Sequence, residues 1–426
     1  MPSDPVAVVP NAVTPVVSSL TDRYSSRRER LKFTWLMAAL TMLGPFSIDT
    51  YLPAFPAMQA ALSATEVQMQ LTLTVYFIGF AVVSLFHGAI SDSIGRKPVI
   101  VGALCVHAAA SVGCALSSSI ESLLVFRALQ GCFAGAGFVV GRAVVRDIFS
   151  GVEAQRQLSR IQMLFAAAPI IAPILGGWMV AHSAWPSIFW FLSAFAVMLT
   201  VWSVLSLPES HAVENRLPLA IKPLSRTYGR IFFNKTFQTL AAIPAINFIG
   251  FFVYIAGAPA FLITHLSLTT KDFAVLFLPG ITGMTIAAYC SGRFAGRVSH
   301  ARQINAGFLI MGVAAVANLL VSAFLPPRVI WNIAPIAVYT FGMALVTPCV
   351  SLKLLDAFSH ARGTASALLT SAHVAMMAVT TAIIVPFAQQ SLLGFSIVML
   401  VSVAVGGVIW KGHLVSHTPQ DAYEVV

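Results

Sequence analysis

Twelve stretches of about 20 or more mostly apolar residues recur along the chain, the length an α-helix needs to cross roughly 30 Å of hydrocarbon. They run near 33–56, 67–90, 99–118, 122–144, 157–181 and 187–207, then near 237–264, 271–292, 303–325, 329–352, 363–389 and 391–411. No stretch alternates apolar and polar residues with period two, so barrel strands are excluded. In hydrocarbon every backbone donor and acceptor must be paired within the protein, which leaves helices as the spanning element. The sequence therefore predicts an all-α polytopic membrane protein. With 58% hydrophobic and 9% charged residues over 426 positions, a soluble domain of this length could not hide its apolar surface.

A polar stretch at 208–236, carrying Arg216, Lys222, Arg226, Arg230 and Lys235, separates six predicted helices from six. The expected organisation is a tail at 1–32, a six-helix bundle at 33–207, a linker at 208–236, a second bundle at 237–411 and a tail at 412–426. The string GAISDSIGRK after the second helix has a degenerate echo in YCSGRFAGRV after the eighth, aligning Gly95 and Arg96 with Gly296 and Arg297. Two pseudo-symmetric six-helix bundles match the repeat logic of secondary transporters, whose sites lie near mid-membrane between the halves.

If the amino terminus is inside, all but three of the 25 Lys and Arg residues fall on the inner side; the three are Arg127, Lys271 and Arg328. This bias predicts both tails in the cytoplasm and a multi-pass protein of the cell inner membrane. The net charge of +10 thus reports topology rather than a nucleic-acid partner. No cleavable signal peptide is apparent before the basic run Arg27, Arg28, Arg30 and Lys32. The five cysteines (Cys105, Cys114, Cys132, Cys290 and Cys349) lie in apolar stretches without metal spacing and are expected as free thiols.

Asp49 is the only acidic residue set well inside a predicted span. A carboxylate at that depth costs about 2.5 to 3.5 kcal/mol on insertion scales, so its default reading is functional. Arg127, about five residues into the fourth helix from the outer face, sits at similar depth, and an ion pair between the two would answer the burial of both. Two readings follow: a proton carrier whose protonation competes with substrate, or a static salt bridge between two helices. Gln130, three residues on, would face the same cavity or bond another helix. Asn247, Phe252 and Tyr254 of the seventh helix and Tyr339 of the tenth could form an aromatic opposite wall, suited to bulky apolar cargo, or could be packing residues. His87, His107 and His373 also fall within spans, where a hydrogen-bonded structural role outweighs a proton relay.

No GxxxxGK[ST] string, HExxH or dinucleotide fingerprint occurs, and no segment outside the spans could house a catalytic domain. An enzyme is not expected, and neither is a cofactor or a metal. Energy would come from a gradient; a proton crossing 100 mV releases about 2.3 kcal/mol from the electrical term.

Several strings carry a family likeness. Gly88, Asp92, Gly95, Arg96 and Lys97 stand as G-x-x-x-D-x-x-G-R-K, Arg127, Gln130 and Gly131 as R-x-x-Q-G, and Ala172, Pro173, Gly176 and Gly177 as G-P-x-x-G-G with alanine for the first glycine. Pro169, four residues before Pro173, should kink the same helix. With SIDTYLPAFP at 47–56 and GRAVVRDIF at 141–149, the chain resembles the major facilitator superfamily, and more narrowly its Bcr/CflA-type drug:proton antiporters. The resemblance implies the superfamily fold and export of drug-like molecules such as chloramphenicol- or bicyclomycin-type antibiotics in exchange for protons, by a monomer. It equally allows export of an endogenous metabolite, while the rival within transport, a symporter or facilitator for a small metabolite, is disfavoured by the likeness and by the motif of the fifth helix. It also implies a cytoplasmic gate in which Arg142, Arg146 and Asp147, ending the fourth helix, lie close to Asp92 and Arg96; for Arg142 and Arg146 simple anchoring is the other reading.

Overall fold

The computed structural model describes residues 24 to 416 apart from 25, 217, 295 and 296. Most of both expected tails, and Gly296 of the repeat echo, lie outside the described residues. Among the described residues there is no strand, and twelve helices are long and apolar enough to span a membrane. They are α1 Arg27–Ala61, α2 Glu66–Ile94, α3 Arg96–Ala115, α4 Ile120–Ile148, α5 Gly151–His182 and α6 Pro186–Ser206, then α7 Lys235–Ala256, α8 Ala274–Ser291, α9 His300–Phe324, α10 Val329–Ala357, α11 Arg362–Ala388 and α12 Leu392–Leu414. Twelve crossings return the chain to the side on which it started. The face where α1 begins and α12 ends is called here the terminal face, and the opposite one the distal face.

Local chemistry sets where the spans start and stop. Thr65 and Gln68 exchange bonds as a capping box at the start of α2, with Gln68 N–H donating to Thr65 Oγ1 at 3.2 Å and Thr65 N–H to Gln68 Oε1 at 2.8 Å. Asn234 accepts from the N–H groups of Thr236 and Phe237 at the start of α7. The chain leaves α2 through Gly95 at φ +107°, a conformation that side chains rarely tolerate. The expected linker holds a helix of its own, Ile221–Phe232.

Four spans are broken: α4 is interrupted at Gly135, between Ile120–Ala134 and Ala136–Ile148, and three others break as follows. α1 is α-helical only from Arg27 to Asp49, then passes through a tight turn at Leu52–Ala54 before Phe55–Ala61. Pro53 and Pro56 have no N–H to offer the ladder there. α5 breaks at Ala166 and Ala167, just before Pro169. α11 widens into a π turn at Thr380–Ile384, and another, Pro259–His265, follows α7.

The core shows which ends of the two halves meet. One cluster runs from the distal part of the first six helices (Tyr51, Leu73, Phe77, Phe189) without a break into the second six (Phe252, Phe261, Tyr339, Phe395). A separate cluster around Leu36, Ile100, Val144 and Leu199 fills the terminal part of the first six alone. Hydrogen bonds between the halves follow the same division. Gln70 Nε2 donates to the Ala256 carbonyl at 3.1 Å, Thr74 and Thr381 share a bond at 2.9 Å, and Gln389 Nε2 donates to Glu66 at 3.1 Å. These lie toward the distal face, and Ser371, donating to the Ala81 carbonyl, lies near mid-span. The molecule is therefore sealed at its distal end.

α2 and α4 approach closely because glycines face the contact. A Cβ on Gly131 would land on the Tyr76 carbonyl, and one on Gly79 would meet the Ala128 carbonyl and Cys132, whereas at Gly102 a Cβ would meet open space. Overpacking of this kind costs about 1–3 kcal/mol, so Gly131→Ala is expected to lower the melting temperature of the purified protein by several degrees. Gly102→Ala is expected to leave it unchanged or raise it. Equal melting temperatures for the two variants would show that the α2–α4 contact is loose.

Candidate functional site

Arg127 is fully buried, and among the described residues no carboxylate pairs with it. Its Nη1 donates to the Ser47 carbonyl at 3.0 Å and to Gln130 Oε1. Its guanidinium carbon stands 4.4 Å from the centre of the Tyr51 ring and 4.5 Å from that of Tyr76. Nε and Nη2 have no hydrogen-bond partner among the described residues. Each enclosing group has a local cause. Gln130 is three residues on along α4, Ser47 and Tyr51 are four apart where α1 ends, and Tyr51 is held by a 2.8 Å bond to Thr72 of α2. Gln130 Nε2 donates in turn to Ser111 of α3 at 2.7 Å.

His107 extends this network. Its Nδ1 lies 3.3 Å from the Gln130 carbonyl and its Nε2 3.2 Å from the Ser47 hydroxyl. A carbonyl only accepts, so Nδ1 carries a proton toward Gln130, while the one proton of the Ser47 hydroxyl lies within reach of both His107 Nε2 and the Leu43 carbonyl, the latter at 2.7 Å. Ser47, Tyr51, Tyr76 and Ser111 are members that sequence reading did not name. The i, i+4 relation of Ser47 to Tyr51 beside a buried arginine was the available signal.

Asp49 is 6% exposed and has neither an ion pair nor a hydrogen bond among the described residues. The expected Asp49–Arg127 pair is not formed. Residues two apart on a helix point about 200° from each other, so when Ser47 offers its side of α1 to α4, Asp49 is directed elsewhere. It remains close enough to Tyr76 to act on it electrostatically.

The α5 motif meets this region from the other side. A Cβ on Gly176 would fall on the Thr50 carbonyl, next to Asp49, and one on Gly177 on the Thr270 carbonyl of the second half. Ala172 and Pro173 are buried between them and Pro169 at the break. The paired glycines thus seat α5 both on the interruption of α1 and on the distal loop before α8.

Of the residues expected to form the opposite wall, only Phe252 reaches the first half, edge-on to Phe77 with ring centres 5.5 Å apart. Phe248 stacks on it at 5.5 Å, and His373 lies 4.6 Å from Phe248. Asn247, Tyr254 and Tyr339 turn inside the second half instead. Asn247 is fully buried against Gly406 of α12, with neither side-chain amide atom hydrogen-bonded among the described residues, and Tyr339 donates to its backbone carbonyl at 2.8 Å. Tyr254 accepts from Asn318 of α9 and stacks on Phe395. Positions 247 and 254 share one face of α7, while 248 and 252 share another, so the three α7 residues grouped from sequence could not line one wall.

The expected gate charges gather within the first half. Arg96 pairs with Asp92 and, at 3.0 Å, with Asp147, which also accepts from Ser210 at 2.9 Å. Glu209, from the start of the linker, accepts from the N–H groups of Arg96 and Lys97 at 3.0 and 3.2 Å, capping α3 beside Gly95. Gly88 packs on Val139 of α4. Arg142 stays apart, its guanidinium 4.0 Å over the Phe138 ring, and Arg146 is exposed. Among the described residues neither pairs with Asp92. His87 is buried beside Phe133, with neither ring nitrogen hydrogen-bonded among the described residues.

The family model for the Major Facilitator Superfamily matches residues 34–381. The chain belongs to that superfamily. It is 32% identical to "Uncharacterized MFS-type transporter YdgK" of Bacillus subtilis over 80% of this chain and 85% of that protein. It is 27% identical to "Bicyclomycin resistance protein homolog" of Haemophilus influenzae, over 82% and 87% respectively, and 30% identical to "Chloramphenicol resistance protein" of Pseudomonas aeruginosa, over 79% and 81%. Among solved structures, a bacterial homologue of the human lysosomal transporter Spinster in an inward-facing, occupied conformation shares the fold, with a TM-score of 0.71 at 14% identity over 93% of this chain and all of that one. This superfamily member is a multi-pass membrane transporter and not an enzyme.

A cation held by ring faces leaves a measurable coupling. Desolvated cation–π contacts are worth about 2 kcal/mol, so Tyr51→Leu is expected to cost about 1–2 kcal/mol more in the wild-type background than in Arg127→Met. Thermal unfolding of the four proteins in detergent measures this difference, and additive costs would mean that the ring does not hold the cation.

Proposed function

We propose that the transporter exports drug-like small molecules across the inner membrane in exchange for protons, with Asp49 as the proton-carrying group and the tails in the cytoplasm. The observation that carries this reading is a buried carboxylate with no partner, two residues from the carbonyl that grips an equally buried guanidinium. A carboxylate serving only as a structural tie would be paired; one left open can take up and release a proton as its surroundings change. Arg127, fixed by Ser47, Gln130 and two tyrosines, supplies a constant positive charge nearby without quenching the acid.

Alternating access supplies the coupling. The distal seal formed by Gln70, Thr74, Glu66 and Gln389 corresponds to a state open toward the terminal face, in which substrate would load from the cytoplasm. Phe248, Phe252 and His373 offer an aromatic surface to a bulky cargo from the second half. The relatives named for bicyclomycin and chloramphenicol resistance support an antibiotic-like substrate, and they make chloramphenicol the first probe.

In proteoliposomes, chloramphenicol added to the wild type is expected to release protons, and its apparent affinity is expected to vary with pH. Asp49→Asn is expected to bind chloramphenicol with no pH dependence and to lose at least tenfold in gradient-driven transport. Full gradient-driven transport by a folded Asp49→Asn protein would remove the proton role from this residue.

A further inference from the structure

The linker helix Ile221–Phe232 has two unlike faces. Leu224, Tyr228 and Ile231 turn toward the protein, while Lys222, Arg226 and Arg230, spaced four apart, are exposed along one stripe. None of these three cations has an acidic partner among the described residues, in contrast to Arg96, which has two. Phe232 and Phe233, at the end leading into α7, are 45% and 75% exposed.

One face of this helix rests on the bundle through a long side chain. Tyr228 donates to the Leu85 carbonyl at 2.8 Å, and Leu85 lies about nine residues from the terminal end of α2, roughly 13 Å at 1.5 Å per residue. A cleft of about 290 Å³ beneath the helix is bounded by Leu85, Tyr228, Phe232 and, on α11, Leu368 and Ala375. The helix thus rests against α11 and the start of α7, with the Tyr228 side chain reaching in to α2. The exposed Phe232 and Phe233 stand at the terminal end of α7, where apolar rings meet lipid and basic side chains beside them reach headgroup phosphates.

We propose that the linker helix is a lipid-docking element, in which Lys222, Arg226 and Arg230 bind the phosphates of anionic phospholipids in the leaflet at the terminal face. A strip of free cations flanked by exposed aromatic rings has the charge and the amphipathic form of an interfacial helix. Because Tyr228 ties the same helix to α2 while its cleft is walled by α11, lipid bound on the outer stripe steadies a bridge between the two halves.

The full chain is reconstituted in bilayers of equal parts dioleoylphosphatidylglycerol and dioleoylphosphatidylcholine, and lipids retained on release are counted by native mass spectrometry. The wild type is expected to retain the anionic lipid about fivefold or more over the zwitterionic one. K222Q/R226Q/R230Q is expected to lose most of that preference, R226K/R230K to keep it, and R27Q/R28Q/R30Q, which removes equal charge elsewhere, to keep it. Amide exchange over 221–232 is expected to slow in phosphatidylglycerol bilayers for the wild type and the two variants that keep the preference, and not for K222Q/R226Q/R230Q. Equal loss in the two Gln triples, equal retention of the two lipids, or release of the lipid by excess inorganic phosphate would each overturn the proposal, whether or not Asp49 carries protons.

Discussion

The structure turns on how a guanidinium is kept inside a bundle of apolar helices without a counter-ion. Inserting an arginine near mid-membrane costs about 2.5 to 3.5 kcal/mol on translocon scales. Two desolvated ring faces at about 2 kcal/mol each, with a charged hydrogen bond at about 1.5 to 3 kcal/mol, are enough to offset that cost. Tyr51, Tyr76 and the Ser47 carbonyl supply these terms. The enclosure draws on α1, α2 and α4, while Gln130 and His107 carry it into α3. The first half is thereby locked as one body around Arg127. The interruption of α1 is what makes this possible, since the turn after Asp49 brings the Tyr51 ring to the cation.

A rigid first half gives the second half something to move against. The shared core and the polar bonds of Gln70, Thr74 and Gln389 hold the halves together from mid-span to the distal face. Among the described residues these bonds are few, and only the one from Gln389 to Glu66 involves an ionisable group. Thr381, the partner of Thr74, sits in the π turn of α11, a place where the helix ladder is already irregular. Glycine contacts at Gly177 let α5 rest on the second half without interlocking side chains. The charges around Arg96, by contrast, bind only within the first half and the linker, so in this state they impose nothing on α11.

Spans and fold class were legible because hydrocarbon leaves one solution for the backbone, and the motif strings fixed the superfamily. Arg127 and Asp49 were found as the costly residues of their spans. Their separation was not legible, because it depends on how α1 is rotated about its own axis, which hydropathy does not report for a span that is apolar on most sides. Asn247, Tyr254 and Tyr339 were misplaced for a related reason: a helix apolar on all sides gives no sign of which face meets the other half. The linker helix escaped notice because its amphipathic pattern spans only three turns in a stretch already explained by its charge. Glu209 escaped because capping across more than a hundred residues leaves no local trace.

A lone carboxylate beside a fixed cation has an electrical consequence. With Asp49 ionised, the pair carries no net charge; with Asp49 protonated, it carries that of Arg127 alone. On the proposed reading, the step in which the site changes its access moves unlike charge in its two directions, and the membrane potential acts on only one of them. Each elementary charge crossing 100 mV is worth about 2.3 kcal/mol, comparable to the cost of placing a carboxylate at that depth. Holding Arg127 by rings rather than by Asp49 keeps the two charges independent. A salt bridge would have fixed the proton occupancy of the acid and left the potential nothing to act upon.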